Sequence, residues 1–128
     1  MSRGPRMRRV NELLRELIAA EVTRLKDPGL GFLTITGVDT APDLRSARVY
    51  YSVLGDADQQ EATRAALQRA APHVRAEVAG QVRLKYVPEL RFEPDEAIER
   101  GMRMEQLLRD LREERDEGLD PGSDPGGG

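Results

Sequence analysis

The side chains in this sequence that could do chemistry are 18 arginines, two lysines and one histidine. Phosphate binding is the chemistry such a set suits best. A guanidinium is planar, permanently charged and able to donate to two phosphate oxygens at once. The candidates are Arg6, Arg8 and Arg9 near the start, Arg45 beside a turn, and Arg69 and Arg75 flanking Ala70-Ala71-Pro72. Arg83 and Lys85 follow in a later alternating run. Such contacts give salt-dependent affinity without sequence readout. Composition alone also accounts for these residues as an ordinary solvated surface, and for the arginine bias as GC-rich coding. Tyr50 and Tyr86 have the ring chemistry to stack on bases, although tyrosine on a strand more often packs.

Other chemistries are excluded by residue type or spacing. There is no cysteine, so no disulfide, thiolate metal site or cysteine nucleophile exists. One histidine rules out a zinc-binding H-E-x-x-H pair. His73 follows Pro72 within a helical pattern and reads as a surface residue rather than a catalytic one. No glycine-rich phosphate loop or dinucleotide fingerprint occurs. The carboxylate pairs Glu113-Glu114 and Asp116-Glu117 sit in a charged tail and read as solubilising groups. No cofactor or metal is expected. No apolar run approaches the ~18 residues of a membrane span, and no signal-peptide pattern opens the chain. A soluble cytoplasmic protein is expected.

The charge is unevenly distributed. The net charge of the 128 residues is −3. Residues 1–92 carry 15 basic and 11 acidic side chains, whereas residues 93–128 carry 5 and 12. A basic body is thus averaged with an acidic tail, and the overall acidity does not argue against a polyanionic partner.

The elements that must position these residues are legible from periodicity. Val10, Leu13, Leu14, Leu17, Ile18, Val22 and Leu25 form one face of a helix, which Lys26-Asp27-Pro28-Gly29 ends. Gly4-Pro5 argues against helix before it, so residues 1–9 are expected to be a flexible basic arm. Residues 32–38 and 45–54 read as an antiparallel hairpin, with Ala47, Val49, Tyr51 and Val53 facing inward. Asp56 and Asp58 open a second helix that runs to Gly80 and is expected to break into two pieces at Pro72. A third strand is expected over the alternating residues 82–92, returning parallel through a crossover. Residues 95–116 form a last helix with Ile98, Met104, Leu107, Leu108 and Leu111 on one face. Residues 117–128, rich in Gly, Pro and Asp, are expected to be disordered. The order is helix, strand, strand, kinked helix, strand, then a helical extension, which makes an α+β sandwich.

Several segments together carry a family resemblance. These are Leu25-Lys26-Asp27-Pro28 with Gly31, the hairpin from Val38-Asp39 to Tyr50, Arg83-Leu84-Lys85-Tyr86-Val87-Pro88-Glu89-Leu90-Arg91-Phe92, and Gly101-Met102-Arg103-Met104-Glu105. In order and spacing they resemble the bacterial ribosome-binding factor A family over roughly residues 7–108. The resemblance implies a type II KH-like domain over residues 10–94. It implies binding to 16S rRNA on the free or immature 30S subunit, a role in late maturation and 16S rRNA processing, a link to cold adaptation, and no enzymatic activity. It adds Arg103 to the candidate RNA contacts, and it makes Met102 and Met104 packing residues. It also marks Ala70, Ala71 and Pro72 as an interhelical kink where the family tends to have Ala-x-Gly. Proline bends the chain without glycine's access to positive φ. A monomer is expected. The alternative reading is a protein-interaction adaptor acting through the acidic C-terminal helix.

Overall fold

The computed structural model describes residues 4–83 and 87–117. The chain divides into two units, residues 1–95 and 96–128. In the first, α1 (Pro5–Thr23), β1 (Leu33–Thr40), β2 (Ser46–Val53), α2 (Ala57–Ala79) and β3 (Glu89–Pro94) follow one another. The second contains α3 (Glu96–Glu117).

The sheet order is β1-β2-β3. β1 and β2 are antiparallel, and β2 and β3 are parallel. The crossover between the parallel strands is α2, as a parallel pair requires. This is the α+β, type II KH-like order expected from the sequence. On β2 the alternation holds: Ala47, Val49, Tyr51 and Val53 are buried, whereas Arg48 is exposed. The buried residues join Leu14, Ile18 and Val22 of α1 and Leu67, Val74 and Val78 of α2 in one core. Fully burying an aliphatic side chain of this kind contributes about 1.5–3 kcal/mol, so this shared layer holds both helices to one sheet face.

Several boundaries differ from the sequence reading; α1 ends at Thr23 rather than after Leu25, and the hairpin strands are Leu33–Thr40 and Ser46–Val53 rather than 32–38 and 45–54. α1 begins at Pro5, so residues 5–9 are helix and not a flexible arm. Pro5 occupies the first helical position, where its missing N–H has no intrahelical partner to lose, and Gly4 precedes it at φ 95°. α2 is one continuous 23-residue helix through Pro72 rather than two pieces. Packing of Leu67, Val74 and Val78 on either side of the proline keeps both halves helical. β3 starts at Glu89, after the buried Val87 and Pro88, so Val82 and Arg83 are not strand. α3 lies one residue later at both ends than expected. The expected tail beyond it falls outside the described residues.

α2 opens on Asp56, whose carboxylate accepts from the Gln59 N–H at 2.9 Å, and ends at Gly80. α3 has no buried residue. Met104, expected to pack, is 56% exposed, and Leu107, Leu108 and Leu111 are similarly exposed.

Candidate nucleic-acid interface

α1 lifts its arginines to the surface by simple periodicity. Leu14, Ile18 and Val22 face the core, so Arg6, Arg8 and Arg9 fall on exposed positions of the first two turns. No acidic residue occupies that first turn. These cations stand at the positive end of the helix dipole, an arrangement that is mildly unfavourable in isolation and favours a nearby anion. Among the described residues none of the three forms an ion pair. Arg8 also lines a cavity of about 450 Å³ between α1 and β1, with Asn11, Thr36, Gly37 and Val38. Arg15 lines the same cavity but is paired with Glu12. That bond and charge hold the Glu12 carboxyl below its ordinary pKa.

α2 treats its arginines differently. Arg69 donates to the Asp27 carboxylate at 3.0 Å. Arg75 directs Nε and Nη2 at the Val87 carbonyl, at 3.0 and 2.8 Å. Arg69 therefore holds the exit of α1, and Arg75 holds the segment entering β3. The Asp27 carboxyl lies below the usual carboxylate range, first because it accepts from the Gly29 N–H and second because of Arg69.

The loop after α1 is itself clasped to α2. The Gly29 N–H reaches Asp27 Oδ1 at 2.8 Å, and Gln59 Nε2 donates to the Gly29 carbonyl at 3.2 Å. Gly31 donates to Thr63 Oγ1, and a Cβ at position 31 would stand 2.7 Å from the Gln59 amide. The Asp27-to-Gly31 segment thus has a structural role: it docks helix to helix.

A second cavity, about 590 Å³, opens between α2 and β3. Its apolar lining is Ala71, Pro72, Leu90 and Phe92, and its polar lining is Gln68, Arg75, Glu89 and Arg91. The size and mixed lining suit a small planar group held against apolar surface and steered by a few polar ones. Arg91 is exposed on β3 and also lines a smaller cavity with Asp39, Ser46 and Arg48. Sequence reading missed Arg91. The signal was present, since Leu90 and Phe92 alternate inward and leave Arg91 outward.

The predicted set is therefore split. Arg6, Arg8 and Arg9 share the start of α1. Arg75 lines the α2–β3 cavity with Ala71 and Pro72, whereas Ala70 packs on the core. Arg45 lies next to this cavity, because its carbonyl accepts from the Glu89 N–H at 2.9 Å. Arg69 is held in an ion pair. Arg83 is exposed in the segment after α2. Lys85 and Tyr86 fall outside the described residues. Arg103 is exposed on α3, in the second unit. Tyr50 stands on the open sheet face, on the same side of β2 as Arg48. The neighbouring Tyr50 hydroxyl first, and the Glu93 charge 3.6 Å away second, raise the Arg48 pKa. His73 is exposed on α2. Among the described residues no cluster of potential metal ligands occurs, and no helix is long and apolar enough to cross a membrane.

Comparison with known proteins adds four findings. The family model described as ribosome-binding factor A matches residues 6–108. A Desulfitobacterium hafniense protein named ribosome-binding factor A is 46% identical over 116 residues, spanning 88% of this chain and 93% of that protein. The crystal structure of ribosome-binding factor A from Thermus thermophilus superimposes with a TM-score of 0.63 at 30% identity, covering 69% of this chain and 93% of the other. A Thermus thermophilus homology model of the same factor, fitted into the cryo-electron microscopy map of its complex with 30S, gives a TM-score of 0.56 at 31% identity. It covers 65% of this chain and 88% of that one.

Proposed function

Because the chain belongs to the ribosome-binding factor A family, we propose that it is a 30S assembly factor that binds 16S rRNA on free or immature small subunits. It then assists late maturation and rRNA processing, in the cytoplasm and as a monomer. The observation that carries this reading is the family match across residues 6–108, which spans both the basic start of α1 and the α2–β3 cavity. In this reading Arg6, Arg8 and Arg9 contact phosphates. Arg45, Arg75, Arg83, Lys85, Arg91 and Arg103 supply further positive charge, and the Ala70-Ala71-Pro72 segment borders the RNA.

The mechanism is occupancy and not catalysis. The family is one of ribosome-binding factors and not an enzyme class. A bound factor shifts an rRNA conformational equilibrium only by its differential affinity for the two states. Affinity for free 30S must therefore exceed affinity for subunits within 70S. Sedimentation with 30S subunits and with 70S ribosomes over a salt series tests this. Salt-sensitive binding to 30S and weak binding to 70S is the expected outcome. Equal binding to both contradicts the assembly role.

A second reading has its own observation. Met104, Leu107, Leu108 and Leu111 are about half exposed on α3, which buries no residue. That stripe suits an adaptor that docks a protein partner. Retention on 30S that is indifferent to salt and lost on changing Leu107 and Leu111 to Ser would favour it.

A further inference from the structure

Pro72 changes the hydrogen-bond inventory of the α2–β3 cavity. In an α-helix the carbonyl of each interior residue accepts from the N–H four residues on. Proline has no N–H, so the Gln68 carbonyl lacks the donor that position 72 would otherwise supply. Gln68 and Pro72 both line the cavity, one turn apart. Glu89 adds carboxylate oxygens to the same lining. Arg75 commits two of its five N–H donors to the Val87 carbonyl. The cavity thus combines an apolar wall with a backbone acceptor that has lost its intrahelical donor, and a backbone carbonyl is an obligatory hydrogen-bonding group.

We propose that the Gln68 carbonyl, released by Pro72, reads the base in this cavity and selects one that presents an exocyclic amino group. This rests on the reading of the cavity as part of the RNA site. Cytosine and uracil make the sharpest contrast because they have the same size. Cytosine directs an N4 amino donor where uracil directs the O4 acceptor. Cytosine donates to the carbonyl, whereas uracil sets oxygen against oxygen there. The selectivity has an attractive and a repulsive part. Pro72, Phe92 and Ala71 supply the apolar wall for the ring, and Arg91 supplies charge for the adjoining phosphate. Proline at position 72 is thus a specificity determinant as well as a bend.

The test is fluorescence anisotropy with the full chain and labelled six-residue oligocytidylate and oligouridylate. Wild type is expected to bind oligocytidylate about fivefold more tightly, the effect of one net hydrogen bond. Pro72→Ala restores the N–H at an exposed helical position that alanine favours, so folding is retained and circular dichroism checks it. The variant is expected to lose the preference, read as the ratio of its two affinities falling to about one. Equal affinities in wild type, or a preference that survives Pro72→Ala, overturn the inference while leaving the RNA site intact. Arg91→Ala separates the two failures. If wild type binds neither oligonucleotide, or binds both equally well with Arg91→Ala, the cavity is not an RNA site and the inference falls with that reading.

Discussion

α1 and α2 cover the same face of one sheet, and both carry arginines that the sequence offers as RNA contacts. On α1, Arg6, Arg8 and Arg9 point away from the core with no carboxylate in the first turn. On α2, Arg69 and Arg75 are also exposed, yet each is fixed to a distant part of the chain. Exposure and availability are therefore different properties. A guanidinium already donating to a carboxylate or carbonyl has fewer donors and less freedom to follow a phosphate. Among the described residues, Arg6, Arg8 and Arg9 at the start of α1 and Arg91 on β3 carry no internal ion pair, whereas Arg69 and Arg75 in the middle of α2 hold the scaffold.

This contrast predicts a graded series. The largest effect belongs to Arg8→Glu combined with Arg9→Glu. Affinity for 30S is expected to fall at least about tenfold, with thermal stability within about 0.5 kcal/mol of wild type, since both residues are surface positions that form no ion pair among the described residues. A filter-binding titration and a melt check the two halves. Arg75→Ala should invert the pattern. Loss of its bonds to the Val87 carbonyl is expected to cost about 1–2 kcal/mol in urea unfolding, with a smaller loss of affinity than the α1 pair. Next comes Arg69→Gln, expected to lower the melting temperature slightly and to leave 30S affinity within about twofold. A tenfold affinity loss from Arg69→Gln would erase the distinction between the helices.

The smallest effect is a pH profile. The carboxyl of Asp27 is depressed by Gly29 and Arg69. Its stabilising contribution is present above its unfolded pKa, about 3.9, and is lost as pH falls through the lower folded value. Wild-type melting temperature should therefore drop on acidification below about pH 4 by more than that of Asp27→Asn, whose side chain does not titrate. Parallel profiles would show that the clasp at the exit of α1 carries no linked charge.

The same contrast explains what the sequence discloses. The apolar face from Val10 to Leu25 and the alternation Ala47-Val49-Tyr51-Val53 are local patterns, and both elements form, although α1 stops at Thr23, short of Leu25. The start of α1 was hidden because Pro5 reads equally as a breaker and as a first helical residue, and only packing of the following turns decides. Pro72 likewise signals a break, but buried residues on both sides carry the helix through it. The partners of Arg69 and Arg75 were invisible for a different reason. One lies 42 residues away and the other is a backbone carbonyl, which no residue type announces. Arg91 was legible from alternation but was not recognised as cavity lining until α2 was placed against β3.

Salt dependence of 30S binding tests the division between the helices most directly. Neutralising a phosphate contact removes one released counterion, so each lost contact reduces the slope of log affinity against log salt by about 0.7–0.9. The account predicts that Arg8→Gln with Arg9→Gln lowers the slope by about 1.4–1.8 and that Arg69→Gln leaves it unchanged. An unchanged slope in the α1 pair, or an equal fall in Arg69→Gln, would contradict it.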